Sequence, residues 1–373
     1  MANNMKQTKF PKHLLPGRFV EAAKPAVTLA NEGERLGGVL PEARQASIGR
    51  IYSLSNSAGV LVNDSYSADA WFSAPLTTYA VDYKDPTIDG ALEALLPQVN
   101  APGRLFQYSI FENPLEFQVD TDDARGLNED FKLIVHYGGK TTGEVLNRGL
   151  AMYVDLDSTA QEPMWAEKRT GKILRRLKRS ELLRGINTLV SAAGAAVKLN
   201  AARTALEAGN TVWNTSADPD ADIKQALTIY ADTLGFKPNR LFYDAVAWDN
   251  RFVALRGNDN AAKFSTAAYT PEQLAPVLGV ASITVGESRY QTSKTAKSRM
   301  APGAVIAFYG DDQPSVEDAS VVKRFTLPTA SGGPFRVYQQ QLGMKRVLMA
   351  VEHYSNTLQT ATIGAFRLNV VAD

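Results

Sequence analysis

The chain contains no cysteine and only three histidines among its 373 residues. The absence of cysteine excludes disulfides, thiolate metal sites and cysteine nucleophiles. No apolar run approaches the roughly 20 residues that cross a bilayer, and the first residues lack the basic-then-apolar pattern of a secretion signal. The formal net charge of +1 provides no global attraction to nucleic acid or to a membrane. We therefore expect no membrane partner.

The histidines are also isolated from one another along the chain. His13, His136 and His353 have no second histidine at the spacing of a metal site, and no His-Glu-x-x-His motif is present. Each is therefore interpreted as a polar residue of the surface or of the core. The sequence predicts no metal site and no cofactor.

Two stretches resemble ligand-binding loops but fail in detail. The Gly-Gly-Lys-Thr-Thr run at 138–142 lacks the earlier glycine of a phosphate-binding loop, because that position is Ile134. The acidic run Asp120, Asp122 and Asp123 lacks the twelfth-position glutamate of a calcium loop. Neither a Gly-x-Ser-x-Gly elbow nor a dinucleotide fingerprint occurs. We therefore expect no catalytic residues and no enzymatic activity.

The stretch from Pro163 to Ala196 is the strongest helix signal in the chain. Apolar residues recur at steps of three and four, which indicates one buried stripe. Pro163 suits a first helical turn, and Gly171, Gly185 and Gly194 are positions where such a helix could bend. We call this stretch the spine helix.

The middle of the spine helix is unusually basic. Its candidate functional residues are Lys168, Arg169, Lys172, Arg175, Arg176, Lys178, Arg179 and Arg184. This basic run departs from the near-neutral charge balance of the chain as a whole.

Residues 218–300 have the pattern of a compact α/β unit. Asp218-Pro219 predicts a helix start, Gly235 its end, and Thr270 to Gln273 a capping box. Strands are predicted at Arg240–Tyr243 and Ala281–Val285. Before this unit, Asn200–Ala208 is predicted to continue helical.

Four strands are predicted towards the C-terminus, at 304–309, 335–340, 346–353 and 365–370. Their partners must be distant in sequence. The simplest arrangement pairs them with a sheet beside the spine helix. The chain would then leave the domain that contains this helix and sheet near residue 215 and return to it near residue 300.

The first 80 residues and residues 117–157 lack obvious partners within the chain. The first 80 residues carry no strong period, which is compatible with a small irregular β subdomain or with an arm that crosses a neighbouring subunit. Residues 117–157 indicate a long two-stranded excursion with a polar tip, and strand segments are predicted at Glu116–Val119, Phe131–Tyr137 and Leu150–Val154. An isolated hairpin of this kind is marginal in water. The candidate contact residues of this tip are Asp120, Asp122, Asp123 and Arg125.

The order of these elements resembles the major capsid protein family of tailed bacteriophages. The similarity rests on Asp-Pro-x-x-Asp-Ile from Asp218, on Gly-x-x-Pro-Asn-x-Leu from Gly235, and on Ile-Thr-Val-Gly-Glu-Ser from Ile283. The similarity continues to the strand that ends in Phe308-Tyr309-Gly310. Similar segments earlier in the chain are Gly-x-Leu-x-x-Leu-Leu-Pro from Gly90 and Phe-x-Tyr-x-x-Phe from Phe106. Together these segments cover about residues 82–310.

The resemblance implies an α+β fold with six segments. They are an N-terminal arm (1–80), an entry segment of the peripheral domain (81–104), an extended β-hairpin loop (105–157), the spine helix with the rest of the peripheral domain (158–217), an axial domain (218–300) and returning strands of the peripheral domain (301–373).

The resemblance also implies a function. It predicts a structural subunit that self-assembles into the hexamers and pentamers of an icosahedral shell around double-stranded DNA. The implied partners are other copies of the chain, a portal protein, scaffold or decoration proteins, and the packaged DNA. The basic face of the spine helix would then be a solvated face that forms salt bridges with the carboxylates of a neighbouring subunit, or it would contact the DNA phosphates without regard to sequence. Localisation would be the virion capsid, after assembly in the host cytoplasm. The alternatives are an encapsulin-like compartment shell, or a soluble α+β enzyme or binding module.

Overall fold

The computed structural model describes residues 70–111, 124, 139–214, 217–235, 237–257, 261–301 and 303–370. The described residues form α-helices and β-strands in about equal measure, so the expected α+β class is confirmed. The helices are α1 (Ala74–Asp82), α2 (Pro86–Leu95), α3 (Trp165–Ala192), α4 (Pro219–Leu234), α5 (Ala245–Arg256), α6 (Ala261–Ala267) and α7 (Pro271–Leu278). None of the helices in these ranges is long and apolar enough to cross a membrane.

The strands are numbered in chain order. They are β1 (Gln98–Asn100), β2 (Leu105–Ile110), β3 (Gly139–Glu144), β4 (Leu146–Asp155), β5 (Val197–Leu199), β6 (Leu206–Ala208), β7 (Arg240–Asp244), β8 (Ser282–Gly286), β9 (Arg289–Gln291), β10 (Lys297–Arg299), β11 (Ala304–Phe308), β12 (Val322–Leu327), β13 (Arg336–Leu342), β14 (Arg346–Gln359) and β15 (Ala365–Asn369).

A five-stranded sheet is built around the long strand β14. Strands β13 and β12 pair with successive parts of β14, and β1 extends the sheet beyond β12. Strand β4 pairs antiparallel with β14 from Arg346 to Ser355. Because β13 uses residues 346–352 of the same strand, β4 must lie on the opposite edge of β14. Strand β4 is therefore an edge strand within the described part of the chain.

A second sheet has the order β15-β11-β7-β8. The expected pairing of the strands at 304–309 and 365–370 with the sheet beside the spine helix is wrong, because β11 pairs with β7 and β15 pairs with β11. All five residues of β7 and of β11 are buried, so both strands lie in the middle of a sheet that is covered on both faces. Because every residue of these two strands is buried, the alternation of apolar and polar residues that marks a half-buried strand could not reveal this arrangement.

The spine helix corresponds to α3, and it links the two sheets. Its first half packs on the five-stranded sheet through Ile173, Leu174 and Leu177, which join Val347 and Met349 in one core cluster. Its second half contributes Leu182, Ile186 and Leu189 to a different cluster, together with α2 and with Phe308 of the second sheet. The helix therefore belongs to two cores, with a boundary near Glu181.

The ends of the spine helix differ from the prediction. The helix begins at Trp165 rather than at Pro163, because Met164 has a left-handed φ of 55° that interrupts the turn. It continues without interruption through Gly171 and Gly185 and ends at Ala192. Gly194, which has a φ of +67°, follows the end of the helix and is not a bend within it.

The predicted helix at Asn200–Ala208 is wrong, because β5 and β6 form a short hairpin there. The side-chain oxygen of Asn200 accepts hydrogen bonds from the amides of Thr204 and Ala205, and Arg203 has a left-handed φ of 57°. Leu199 and Leu206 pack against the core of the second sheet. A local side-chain hydrogen bond and tertiary burial thus outweigh helix propensity.

The expected lack of a partner for residues 117–157 is wrong for the last part of that range. Strand β4 forms ten register pairs with β14 and belongs fully to the five-stranded sheet. Strand β2 pairs with β3, so that Ile110 lies opposite Gly139. The strand segments expected at Glu116–Val119 and Phe131–Tyr137 lie outside the described residues.

Candidate functional site

The eight predicted basic residues of the spine helix do not share one face. Five of them are exposed and fall within about 100° of the helical circumference. These five form the basic stripe, defined as Lys168, Lys172, Arg175, Arg176 and Arg179. Arg169 borders the stripe but is half-buried, Arg184 is half-buried on another side of the helix, and Lys178 is buried.

Two members of the basic stripe have acidic partners. Lys168 Nζ lies 3.6 Å from a Glu162 oxygen, and Arg175 Nε lies 3.0 Å from Asp85 Oδ2. A hydrogen bond with Tyr83 and the neighbouring Asp85 carboxylate raise the pKa of Arg175. The other three members, Lys172, Arg176 and Arg179, form no ion pair with any described residue. Their three positive charges lie on one side of the helix, with no counter-charge paired to them in the described ranges.

Lys178 has a structural position that the sequence did not reveal. Its ammonium group donates to Asp89 Oδ2 and to the Tyr83 carbonyl, both at 2.8 Å. It also lies 5.3 Å from the centre of the Tyr83 ring. These contacts join the spine helix to α2 through Asp89 and to the α1–α2 connection through Tyr83, so Lys178 is not available to a partner.

Arg169 is likewise engaged, at 2.8 Å from Glu162 Oε2. Arg184 differs from both, because its half-buried guanidinium has no acceptor among the described residues. Burial and the neighbouring positive charge of Arg148 lower the pKa of Arg184. The carboxylate of Glu181 opposes this shift, but it forms no ion pair with Arg184. No anion among the described residues therefore pairs directly with this guanidinium.

Arg184 lies in a polar group where the spine helix crosses from one core to the other. Glu181 lies one turn earlier on the helix, 3.7 Å from Arg324 of β12. On β14, His353 lies opposite Arg148 of β4. We call this group the arginine notch, and it comprises Arg148, Glu181, Arg184, Arg324 and His353.

His353 is buried, and neither ring nitrogen has a hydrogen-bond partner among the described residues. Burial lowers its pKa to about 4. The carboxylate of Glu181 opposes this shift, whereas the three guanidinium groups of the notch reinforce it. The side chain is therefore neutral at pH 7, and each unsatisfied nitrogen costs on the order of 1–3 kcal/mol.

The interpretation of His353 as a polar residue of the core is confirmed. His13 and His136 lie outside the described residues, as do the tip residues Asp120, Asp122, Asp123 and Arg125. Within the described ranges, no three His, Asp or Glu side chains are grouped to hold a metal ion. The run at 138–142 enters β3 at Gly139, and a paired strand offers no phosphate cradle.

Sequence patterns could not have located the arginine notch. Arg148, Glu181, Arg324 and His353 are contributed by β4, the spine helix, β12 and β14, which are far apart along the chain. One signal was present: β14 alternates buried apolar residues up to Val351 and then places His353 and Ser355 on the same buried face. A polar continuation of an apolar strand face marks a change in what covers that face.

Comparison with known proteins gives a match at the level of the fold. No protein-family model and no curated protein sequence matches the chain. Among solved structures, a phage-related protein from Bordetella bronchiseptica RB50 is 19% identical, with a TM-score of 0.58. The match covers 80% of this chain and 97% of that protein. The chain shares the fold of this phage-related protein. The likeness is one of fold alone.

Two further solved structures have lower scores. The capsid structure of the cyanophage P-SCSP1u is 10% identical, covers 76% of this chain and 88% of that one, and has a TM-score of 0.46. A virus-like particle from Pyrococcus furiosus is 13% identical, covers 79% of this chain and 97% of that one, and has a TM-score of 0.45. Scores below one half add no argument to the fold assignment.

Proposed function

We propose that the chain is a structural major capsid protein of a tailed phage and has no catalytic activity. In this proposal it self-assembles into the hexamers and pentamers of an icosahedral shell that encloses double-stranded DNA. The observation that carries the proposal is the shared fold with a phage-related protein over 80% of the chain. The shell would form the virion capsid, after assembly in the host cytoplasm.

Surfaces that lack partners within the described residues support assembly from many copies. Edge strand β4 is ten residues long and pairs on one side only. Its Tyr153 is 69% exposed, which is unusual for a large aromatic side chain. Long open edge strands and exposed aromatic residues are typical of surfaces that a partner covers. A neighbouring copy would supply that partner.

The basic stripe is proposed to contact either DNA phosphates or the carboxylates of a neighbouring subunit. Its charges at Lys172, Arg176 and Arg179 are exposed and unpaired in the described part of the chain. Contact with phosphates would be independent of sequence and would weaken as salt increases. The further partners in the proposal are a portal protein and scaffold or decoration proteins.

The six segments expected from the sequence are kept as a proposal. Residues 1–80 would be the N-terminal arm and 81–104 the entry segment. Residues 105–157 would be the extended loop, although its last strand, β4, belongs to the five-stranded sheet. Residues 158–217 would be the spine helix with the rest of the peripheral domain, and 218–300 the axial domain. Of the returning strands in 301–373, β12, β13 and β14 belong to the five-stranded sheet, whereas β11 and β15 join β7 of the axial segment in the second sheet.

A deletion tests this assignment directly. We expect removal of Asp120–Tyr137 to abolish particles while leaving the rest of the chain folded, because Ile110 and Gly139 remain paired at the base of the segment. Sedimentation velocity measures particle yield, and circular dichroism measures folding. A control in which the same 18 positions carry glycine and serine separates lost contacts from a shortened loop. Normal particles from the deletion variant would contradict the assignment.

A further inference from the structure

The arginine notch carries an imbalance of charge at a half-buried position. Three guanidinium groups, those of Arg148, Arg184 and Arg324, face one carboxylate, that of Glu181. Arg324 already forms an ion pair with the Glu181 carboxylate and also donates a hydrogen bond to Gln98 Oε1. The notch therefore retains an excess of positive charge that the described residues do not neutralise.

The hydrogen-bond donors of the notch are incompletely used. Arg148 donates only to neutral acceptors, which are the Ser355 carbonyl at 3.1 Å and Asn356 Oδ1 at 3.5 Å. Arg184 has no acceptor for its guanidinium in the described ranges. Partly buried arginines are usually accompanied by an anion that accepts two parallel hydrogen bonds. The notch has the donors for such an anion.

Buried polar atoms next to these arginines also lack partners. All three of these atoms, the two ring nitrogens of His353 and the hydroxyl oxygen of Ser355, are buried and have no hydrogen-bond partner among the described residues. His353 and Ser355 lie two residues apart and therefore on the same face of β14. Unsatisfied buried groups are rare in folded proteins. Their presence beside unpaired arginines is independent evidence of a missing partner.

The notch opens towards the free edge of β4. Leu150 lies on the same face of β4 as Arg148 and is 41% exposed, although its cross-strand partner Val351 is fully buried. The spine helix thus stops short of the sheet edge at this point. In the described part of the chain, no strand pairs with the outer side of β4.

We propose that the arginine notch binds a carboxylate side chain from the acidic segment 112–138 of a second copy of the chain. The inference deepens the proposed function and rests on it. The ligand is an aspartate or glutamate that enters between the spine helix and the edge of β4. It accepts hydrogen bonds from the guanidinium groups of Arg184 and Arg148.

The composition of segment 112–138 favours it as the source of the carboxylate. The segment contains seven acidic and two basic residues, which gives a net charge of −5. The acidic members are Glu112, Glu116, Asp120, Asp122, Asp123, Glu129 and Asp130. Many acidic side chains elsewhere, such as Asp85, Asp220 and Asp318, are already paired with cations. Charge complementarity of this kind fixes partner choice and register.

The length of the segment allows it to reach another subunit. It leaves the described fold at Phe111 and returns at Gly139, which are adjacent in the β2–β3 pair. If the segment runs outwards and then returns, half of its 27 residues form each arm. A fully extended arm of that length spans at most about 45 Å. Phosphate is the less suitable ligand, because a DNA backbone contacts exposed cations, whereas Arg184 and Arg148 are half-buried between a helix and a sheet.

Substitution of the two open arginines tests the notch. We expect Arg148→Gln with Arg184→Gln in the full chain to lower particle yield about tenfold or more, because the contact is lost at every interface. The matched control is Arg289→Gln with Arg346→Gln, which removes two exposed arginines outside the notch. Yield is measured by sedimentation velocity, and folding by circular dichroism. Normal yield from a folded notch variant would overturn the proposal.

A charge swap identifies the ligand and the copy that supplies it. Arg148→Glu with Arg184→Glu should abolish particles, and adding Asp120→Arg, Asp122→Arg and Asp123→Arg should restore yield to within about threefold of the parent. Failure to restore yield would overturn the assignment of the segment. If the combined charge-swap variant regained the thermal stability of isolated subunits but not the particle yield, the carboxylate would come from the same copy. That result would contradict the proposal.

Two further outcomes are distinguishable. If the Gln variant forms particles normally but retains less DNA, the notch binds phosphate, and the carboxylate proposal is wrong. If the unaltered chain forms no particles even with its neighbouring phage proteins co-expressed, the proposed function itself fails.

Discussion

Arg251 is a fully buried arginine of α5 whose charge is balanced by one aspartate. Its Nε and Nη2 atoms lie 2.6 and 2.8 Å from the two carboxylate oxygens of Asp220, and Nη2 also donates to the Thr266 carbonyl. The guanidinium carbon lies 5.0 Å from the centre of the Trp248 ring. This arrangement joins α4, α5 and α6, so its role is structural.

Removal of the Asp220 carboxylate should reveal the energetic cost of the buried Arg251 charge. We expect Asp220→Ala to lower the free energy of unfolding by about 3–5 kcal/mol, because an uncompensated guanidinium remains in the core. Chemical denaturation of the isolated subunit measures the change. Asp232→Ala on the exposed side of the same helix is the control and should change little. Equal effects of the two substitutions would contradict the assigned role.

His353 should make stability dependent on pH. Its pKa is about 4 in the folded chain, below its ordinary value of 6.5, chiefly because it is buried. Between these values the unfolded chain binds a proton that the folded chain does not. Stability is therefore greatest above pH 6.5 and is lost as the pH falls towards 4, by up to about 3 kcal/mol.

The variant His353→Leu isolates this contribution. We expect it to lose less stability than the parent between pH 7 and pH 4, because the remaining dependence comes only from other groups. At pH 7 its stability should equal or exceed that of the parent, because two unsatisfied nitrogens are removed. Parallel stability curves for the two proteins over this range would contradict the assignment.

At the scale of elements, the glycines of the helices allow close packing of one helix on another. A Cβ atom at Gly185 of the spine helix would lie 2.1 Å from Leu96 Cδ1, and Leu96 is itself buried. At Gly90 of α2, by contrast, no atom lies within 4 Å of such a Cβ. The two positions share helical backbone but differ in available space.

Alanine substitution should therefore have opposite effects at the two positions. Gly90→Ala should stabilise the subunit by about 0.5–1 kcal/mol, because alanine favours the helix. Gly185→Ala should destabilise it by about 1–3 kcal/mol, because overpacking exceeds that gain. The denaturation midpoints of the isolated subunits measure both stability changes. Stabilisation by Gly185→Ala would show that the spine helix is not packed as described.

Elements fixed by local chemistry were the most predictable. The helix of Asp218 has the expected cap, with Asp218 Oδ1 accepting from the Ala221 amide, and Gly235 ends it at a φ of 71°. The capping box of Thr270 and Gln273 is also present. Both signals act within a few residues, so the sequence contains all the information they need.

Elements fixed by distant contacts were predicted less well. The pairing of β11 with β7 brings together strands about 60 residues apart, and no local pattern specifies it. The eight basic residues of the spine helix were predicted as one face, yet Lys178 is buried because Asp89 and Tyr83 of another element surround it. The arginine notch required four separate segments. Local patterns do not contain this information.

At the scale of the whole molecule, the basic stripe should act only in the assembled shell. Arg176→Glu with Arg179→Glu reverses two unpaired charges without breaking an ion pair of the described residues. We expect lower particle yield or lower content of nuclease-protected DNA, because phosphate or carboxylate contacts become repulsive. Lys224→Glu with Lys237→Glu, at exposed positions elsewhere, is the control. Unchanged yield and DNA content would refute a role for the stripe.

Particle imaging shows whether this chain is a shell subunit, as proposed. Negative-stain electron microscopy of the purified full chain, alone and co-expressed with its neighbouring phage proteins, reports the assembled state. We expect closed particles, or rings of five or six subunits, because head-to-tail contacts between identical copies close into rings. A discrete small species that persists under both conditions would contradict the capsid assignment.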